Sequence, residues 1–366
     1  MRKHHPENER IKRRYLIFLR EAKRLSEASV DQIAAALADF EGHTGYRDFK
    51  RFHIEQARAY KRALGERVSQ STGKPLAKAT VHSRLMALKA FVQWLSEQPG
   101  YRSRISYADA EYFNPSANDG RIAKASTPRP VPSLEQIRAA ISAMPDTTII
   151  NRRDRALIAF TILTGARDNA IASLKVKHVD VEKRTVFQDA REVRTKRAKS
   201  FTSCFFPVGE DIETIFMDWV IELRTRQQFG PDDPLFPKTR VVVSNGLFTP
   251  DGLLKEHWRD AAPIRRIFRE AFQLANLPYF NPHSFRHTLG ALGERLCTSA
   301  ESFKAWSQNL GHEHVLTTFM SYGSVGLNRQ AEIIEALGQT HDTEAGTGSP
   351  SPQTIQRVLD HLRERA

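Results

Sequence analysis

The sequence predicts a mainly α-helical chain of two domains, with a small antiparallel β-sheet in the second domain. The chain has 366 residues, which corresponds to about two domains of a typical length of about 150 residues. Apolar residues recur at helical spacing through most of the chain, whereas three short β-type runs follow one another within residues 178–208. A segment rich in Pro, Gly, Ser and Asn, residues 114–132, separates the two halves and predicts a linker.

Residues 1–113 are predicted to form a helical N-terminal domain. Lys and Arg outnumber Glu over residues 1–24, so this segment is expected to lie near phosphates or to be disordered. Ser29 followed by Gln32 resembles a capping box, which would open a helix that ends near Phe40.

Two further helices are predicted in this first domain, over residues 46–64 and 80–97. The second of them carries its apolar residues on one face, and Pro99 ends the pattern. The residues on that face are Val81, Leu85, Leu88, Val92 and Leu95. Together these segments predict a small all-helical domain.

The second domain is predicted to span residues 133–340. Ser133 and Gln136 match a capping box, so they should open its first helix. An apolar helix is predicted over residues 152–163, with Gly165 as its stop signal.

The β-type runs follow that helix, and their shortness favours a small antiparallel sheet. The three runs are residues 178–181, 185–188 and 200–208. Helical patterns resume over residues 211–226 and then from residue 251 to about residue 337. The last segment, residues 341–366, is predicted to be a flexible spacer followed by a short amphipathic helix.

Charge and composition restrict the partners of this chain. A formal net charge of +13, spread along the sequence, favours a polyanionic partner, with nucleic acid first and an anionic membrane second. No apolar run approaches the length of about 20 residues that a membrane-spanning helix needs, and the N-terminus lacks the apolar core of a secretory signal. Cys204 and Cys297 form neither a disulfide framework nor a zinc pattern, so the reducing cytoplasm is expected.

The stretch PHSFRHTLG combines histidine and arginine near a predicted helix start. Asn281 suits the capping position and Pro282 the first helical position, which places His283 and Arg286 on one face near the N-terminus. The helix dipole adds positive potential there, so the pair suits a phosphate oxyanion, although two polar residues on a solvated turn are the alternative. His283 and His287 are four residues apart, but no third ligand follows at zinc spacing.

Three other elements add reactive residue types in a fixed order. Arg167 follows the Thr-Gly stop of the helix at residues 152–163, and Lys196 lies at the expected β-hairpin turn. His312, within Leu-Gly-His, precedes Tyr322 by ten positions. Each of these residues alone has an ordinary structural interpretation, but their shared order and spacing does not.

This order resembles that of the tyrosine recombinase (phage integrase) family, in which an Arg, a hairpin Lys, a His-x-x-Arg, a Leu-Gly-His and a Tyr follow one another. The resemblance covers about residues 5–340 and includes the PLFP motif at residues 234–237. It implies a two-domain DNA clamp, with a helical core-binding domain, a linker and a mixed α/β catalytic domain. The intact set of residues implies an active enzyme.

The resemblance assigns a role to six residues of this sequence. Two arginines and a histidine would hold the non-bridging oxygens of a phosphodiester, where charge builds in the transition state. A second histidine would act as general base, a lysine would protonate the leaving 5′-oxygen, and a tyrosine would be the nucleophile. In that order of roles, the residues are Arg167, Arg286, His312, His283, Lys196 and Tyr322.

Two positions depart from the family pattern or blur it. Ala170 stands where many members have a glutamate that supports the site, so the order around the first arginine is expected to differ. The lysine has two candidates: Lys196 fits the Arg-Thr-Lys context, whereas Lys199 lies at a more usual distance from Pro207. We favour Lys196 on sequence alone.

The resemblance also implies partners and leaves alternatives. It implies duplex DNA as substrate, a synaptic tetramer, a 3′-phosphotyrosyl intermediate, and neither a metal ion nor a nucleotide cofactor, and it leaves room for DNA-bending accessory proteins. No Walker-type glycine-rich loop occurs in the sequence. A type IB topoisomerase shares this chemistry, and a DNA-binding protein that no longer cleaves is the other alternative. By the same resemblance, the tail at residues 354–366 is expected to dock on a neighbouring subunit, with docking on its own catalytic domain or disorder as the alternatives.

Overall fold

The computed structural model describes residues 4–69, 73–124, 130–244 and 246–312. The chain divides into two compact units, Met1–Thr127 and Pro128–Ala366. Both units are mainly helical, and two small antiparallel sheets lie in the second, which confirms the predicted fold class. Among the helices of the described ranges, none combines the length and hydropathy needed to cross a membrane.

The first unit packs its helices around an aromatic-rich core. Five of its largest buried side chains are Tyr15, Phe40, Tyr60, Phe91 and Phe113. Short 3₁₀ turns at Phe49–Arg51 and Tyr107–Phe113 connect the helices. The α-helices are α1 (Pro6–Glu21), α2 (Glu27–His43), α3 (Ile54–Glu66), α4 (Lys78–Ser96) and α5 (Ala117–Lys124).

Most of the basic N-terminal segment is ordered as α1, Pro6–Glu21, so disorder, one of the two alternatives expected for it, is wrong for these residues. Ile11, Tyr15 and Leu19 recur every four residues and are all buried, so one face of α1 belongs to the core. Asn8, also buried, donates a hydrogen bond of 2.9 Å to a side-chain oxygen of Glu41 on α2. The Lys and Arg residues that suggested disorder occupy the other faces of the helix.

Two predicted helix starts in this unit were wrong by about a turn or more. Ser26, not Ser29, caps α2, because its side chain accepts the backbone N–H of Ser29 at 3.3 Å. The helix predicted from residue 46 begins only at Ile54, since a positive φ of 59° at Tyr46 and a 3₁₀ turn precede it. The prediction for residues 80–97 is confirmed as α4.

The predicted linker contains a helix, α5, over Ala117–Lys124. The side chain of Ser116 accepts the backbone N–H of Asp119 at 3.0 Å, as a capping residue does. The Asp119 carboxylate also pairs with Lys78 on α4 at 2.8 Å. The Gly, Asn and Ser residues that favoured a linker therefore form a cap and a short helix instead.

The second unit is built around a helix that is buried along most of its length. This helix, α7, carries the predicted apolar stretch, and Gly165 ends it in the left-handed conformation with φ of 61°. Ser133 and Gln136 form the predicted capping box of α6. The helices are α6 (Leu134–Ala143), α7 (Ile149–Thr164), α8 (Asp168–Ile171), α9 (Glu210–Thr225), α10 (Ala262–Leu274), α11 (Ser284–Leu296) and α12 (Ala300–Asn309).

The predicted sheet is present as three antiparallel strands in the order β1-β2-β3. They are β1 (Val179–Asp180), β2 (Thr185–Gln188) and β3 (Phe201–Cys204), with Thr185 opposite Cys204 and Gln188 opposite Phe201. Among the residues that the structure describes, β3 is therefore an edge of this sheet. The connection between β2 and β3 is long and contains a 3₁₀ turn at Lys196–Ala198.

A second hairpin corrects the helical prediction that began at residue 251. Residues Lys238–Ser244 form β4 and Leu247–Leu254 form β5, and the two strands pair antiparallel. The three consecutive valines at 241–243 followed by Asn245-Gly246 are a typical hairpin sequence, which helical periodicity overlooked. The helices α10 to α12 follow as predicted. The predicted helical residues 313–337 and the tail lie outside the described residues.

Candidate active site

A buried guanidinium joins three distant segments of the second unit. Arg286 is only 3% exposed. Its Nη1 donates to the carbonyl of Gly165 at 2.6 Å, and its Nη2 donates to the carbonyl of Leu310 at 2.6 Å. The same Nη2 lies 2.8 Å from Nε2 of His312. One side chain thus connects the end of α7, the start of α11 and the turn after α12.

The start of α11 places Arg286 in the first turn of the helix. The structure begins this helix at Ser284, two residues later than predicted, because Pro282 and His283 form a turn before it. The residue that precedes the helix is His283, so the predicted capping position of Asn281 was wrong by two residues. The side-chain oxygen of Asn281 instead accepts the backbone N–H of Ser284 at 3.2 Å, across the preceding turn. Arg286 therefore lies close to the positive end of the helix dipole.

Gly165 shapes the neighbouring end of α7. A Cβ atom there would lie 2.8 Å from a methyl of Leu310 and 3.1 Å from a methyl of Leu289, and the φ of 61° disfavours other residues. Two residues later, half-buried Arg167 occupies the position just before α8. The glycine therefore allows the end of α7 to approach Leu289, Leu310 and the guanidinium of Arg286 closely.

The charges of these arginines act on two histidines. Desolvation by the surrounding protein, then the charges of Arg286, His287 and Arg167, lowers the pKa of His283 to about 4, although part of its side chain is exposed. Desolvation, then the charges of Arg286 and Arg167, also lowers the pKa of His312 to about 4. Both rings are therefore neutral at pH 7, and a neutral imidazole can accept a proton.

The contact with Arg286 also fixes the tautomer of His312. An arginine only donates hydrogen bonds, so Nε2 of His312 accepts here and the ring proton is on Nδ1. As the ring stands, Nε2 of His312 has no proton to donate to a phosphate oxygen. A bound phosphate that takes over the Nη2 donor of Arg286 would release Nε2 for protonation.

The two candidate lysines differ in their surroundings. Lys196 is exposed on the 3₁₀ turn between β2 and β3, next to Arg197 with its positive φ of 61°. Lys199 is half-buried, and its charge is one of those that lower the pKa of His312. The surroundings therefore favour Lys199 for a position near His312, whereas the sequence context favours Lys196.

Position 170 carries a small apolar side chain, where the family resemblance led us to look for a glutamate. The alanine is buried at 1% exposure on α8. Nearby, Asp168 pairs with Arg265 of α10 at 2.9 Å, and the charge of Asp168 raises the pKa of His283 against the stronger lowering effects. Sequence reasoning missed this carboxylate, whose only signal is that it directly follows Arg167.

The sixth predicted residue, Tyr322, lies outside the described residues. The structure thus brings together Arg167, His283, Arg286 and His312, and it places Lys199 near them. Among the residues that the structure describes, no three His, Cys, Asp or Glu side chains group as metal ligands would.

Comparison with known proteins identifies a family for this chain. The model of the phage integrase family matches residues 133–328, which is more than half of the chain's 366 residues. The tyrosine recombinase XerC of Corynebacterium efficiens is 26% identical over 298 residues, which cover 80% of this chain and 79% of that protein. A putative integrase/recombinase of Sinorhizobium fredii, y4rF, is 25% identical over 201 residues, covering 54% of this chain and 41% of that protein.

Solved structures share the fold at low sequence identity. A lambda integrase dimer bound to a core site aligns with a TM-score of 0.55 and 11% identity, covering 87% of this chain and 96% of that one. The Tn1549 transposon integrase in complex with circular intermediate DNA aligns with a TM-score of 0.53 and 14% identity, covering 89% and 99%. The chain belongs to the phage integrase family, the tyrosine recombinases, which are enzymes that cleave and rejoin DNA.

Proposed function

We propose that this chain cleaves and rejoins duplex DNA at specific sites, with Tyr322 as the nucleophile and with neither a metal ion nor ATP. One observation carries the proposal: the buried guanidinium of Arg286 bonds to Gly165 and lies against His312, which joins three segments of the sequence motif. Arg167 lies close enough for its charge to lower the pKa of both site histidines. The carboxylate nearest in the chain, Asp168, pairs with Arg265, and its effect on the pKa of His283 is weaker than that of the arginines. Such a clustering of cations suits an anionic substrate.

The arginines match the shape of a phosphodiester. Attack on this anion places additional negative charge on its two non-bridging oxygens, and a guanidinium can donate two parallel hydrogen bonds to such oxygens. Arg167 and Arg286 are proposed for this role. His312 is proposed as a third donor once a phosphate oxygen has replaced it as the acceptor of Arg286.

The proton transfers use the neutral histidine and a lysine. Tyr322 is mostly protonated at pH 7, since a free tyrosine has a pKa of about 10, so it needs a base. His283, neutral because its pKa is lowered to about 4, would take that proton as the tyrosine oxygen bonds to phosphorus. The bond from phosphorus to the 5′-oxygen breaks, and Lys199 or Lys196 would protonate the leaving oxygen.

The product retains the energy of the broken bond. A 3′-phosphotyrosyl linkage and a free 5′-hydroxyl result, and a second 5′-hydroxyl can attack the linkage to rejoin the strand. The reverse step uses the same groups with their proton roles exchanged. No external energy source is needed, because the number and type of phosphoester bonds is unchanged.

Duplex DNA, several copies of the chain and a cytoplasmic location complete the proposal. The net charge of +13 supports binding to the phosphate backbone, and the solved neighbours include complexes with DNA and a dimer. The helical domain at residues 1–113 would grip the duplex together with the catalytic domain at residues 133–340. We propose a synaptic tetramer, with room for DNA-bending accessory proteins, in which the tail at residues 354–366 docks on a neighbouring subunit.

Covalent capture from a pool of random sequences tests this function for any target site. The probe is a pool of duplexes with a randomised core and one nick. Cleavage near the nick releases a short fragment that carries the free 5′-hydroxyl. This fragment diffuses away, so the strand cannot be rejoined and the covalent intermediate accumulates. We expect adducts that survive denaturation, persist in EDTA and contain one enriched core sequence. Adducts without sequence enrichment, together with relaxation of any supercoiled plasmid, would indicate a topoisomerase, and no adduct at all would indicate a protein that only binds DNA.

A further inference from the structure

An asparagine side chain covers the open edge of the three-stranded sheet. Within the described ranges, β3 pairs with another strand on one side only, and an edge strand presents unpaired backbone groups. Asn309, the last residue of α12, meets this edge at Cys204. Its Oδ1 accepts the backbone N–H of Cys204 at 2.6 Å, and its Nδ2 donates to the Cys204 carbonyl at 2.9 Å. One side-chain amide thus pairs with β3 as a residue of a fourth strand would.

Two more contacts seat the same turn on β3. The hydroxyl of Ser203, which is fully buried, donates to the backbone carbonyl of Asn309 at 2.9 Å. Gly311 packs so closely on Phe201 that a Cβ atom would lie 2.6 Å from the ring. The turn from Asn309 to His312 therefore follows β3 over most of the length of that strand.

The opposite side of this turn faces the site. Arg286 donates to the carbonyl of Leu310 and contacts His312. On the β3 side of the turn, Gly311 contacts Phe201, the first residue of β3, and Lys199 lies two positions before Phe201 in the chain. The turn thus lies between the cation cluster and the strand that continues from the hairpin lysines.

We propose that Asn309 is a positioning residue, whose paired hydrogen bonds to Cys204 hold the hairpin that carries the general acid in register with His312. This inference deepens the proposed function, because it concerns how the lysine and His312 reach the same phosphate. Asn309 itself does not contact the substrate.

The chemistry of the contact selects asparagine. Only a side chain with one acceptor and one donor at fixed separation can satisfy both the N–H and the carbonyl of Cys204. Aspartate has the same shape but cannot donate when ionised, so a carboxylate oxygen would face the Cys204 carbonyl. Asn309→Asp is therefore a sharper test than Asn309→Ala, and Gln308→Ala is the matched control, because Gln308 is an exposed amide residue in the same helical turn.

The first experiment compares two leaving groups. The rate of adduct formation is measured on a nicked duplex with the core sequence enriched by covalent capture, called the captured duplex. One version has the natural 5′-bridging oxygen at the cleaved bond and the other has sulfur there, because a thiolate leaves without a proton. We expect Asn309→Asp to react about a hundredfold more slowly on the oxygen duplex. On the sulfur duplex it should react within a few-fold of the unaltered protein, and Gln308→Ala should resemble the unaltered protein on both. Equal slowing on both duplexes, or no slowing, would overturn the positioning role.

A second experiment needs no DNA and separates this inference from the proposed function. Amide hydrogen exchange is followed in residues 201–204 and 310–312. Faster exchange of both stretches in Asn309→Asp, but not in Gln308→Ala, would establish the coupling even if the protein formed no adduct. Unchanged exchange in either stretch would show that Asn309 does not couple them.

Discussion

Nη2 of Arg286 lies 2.8 Å from Nε2 of His312, so two groups proposed to hold one phosphate hold each other in the DNA-free chain. The guanidinium must be the donor, which makes the imidazole neutral, with its proton on Nδ1. The arrangement keeps the His312 ring oriented at the site without a substrate. It also means that substrate binding has to replace one hydrogen bond of this pair.

The tautomer of His312 is therefore predicted to change on binding. In the DNA-free protein, ¹⁵N NMR of labelled histidine should show a neutral ring with a protonated Nδ1 and a bare Nε2. Addition of the captured duplex should shift Nε2 towards the protonated form, because a phosphate oxygen replaces it as the acceptor of Arg286. A ring that already carries its proton on Nε2 without DNA would contradict the geometry of this pair, and His312→Asn assigns the signal.

The pH dependence of cleavage should reveal the lowered pKa of His283. A base with a folded pKa of about 4 stays neutral well below the ordinary value of 6.5, so activity should persist as the pH falls. We expect kcat/KM for adduct formation to change by less than about twofold between about pH 7.5 and about pH 5.5. A base with an unshifted pKa would lose about tenfold over the same range.

The same measurement at saturating DNA predicts the direction in which the apparent pKa of His283 shifts on binding. A bound phosphate favours the imidazolium, so the apparent pKa seen in kcat should be higher than the one seen in kcat/KM. His283→Gln should lower the rate at every pH and remove this acid limb. An acid limb near pH 6.5 in kcat/KM that vanishes with His283 would contradict the low pKa of the DNA-free protein.

The identity of the general acid can be decided between the two hairpin lysines. The half-buried position of Lys199 near His312 predicts that Lys199→Ala loses about a hundredfold or more on the oxygen duplex and recovers on the 5′-bridging sulfur duplex. Lys196→Ala should show a smaller loss, of similar size on both duplexes. Sulfur rescue of Lys196→Ala alone would return the role to Lys196, as the sequence context suggests.

Local patterns in the sequence predicted the elements that rest on local interactions. The period of Leu85, Leu88 and Val92 gave α4, and the glycine stop gave the end of α7 at Gly165. The capping box at Ser133 also appears as expected, since side chain and backbone lie three residues apart. The order of the motif residues gave the cluster around Arg286, because each motif is short and remains intact in the fold.

The features that sequence reasoning missed depend on contacts between distant residues. The helix that begins after Ser116, α5, packs on α4 through the ion pair of Asp119 and Lys78. The composition of the segment predicts a linker and contains no information about this contact. The β4–β5 hairpin was missed because its apolar residues fit both the helical and the strand periodicity. The pairing of Asn309 with Cys204 joins residues 105 positions apart, and no local pattern marks it.

The nucleophile is the central claim, and mapping the covalent bond tests it most directly. The adduct on the captured duplex is digested with trypsin and nuclease, and the peptide that retains a nucleotide is sequenced by mass spectrometry. The account predicts a 3′-phosphate ester on the hydroxyl of Tyr322 and no adduct from Tyr322→Phe, which should still bind the duplex. An adduct on another residue, or one that still forms with Tyr322→Phe, would contradict it.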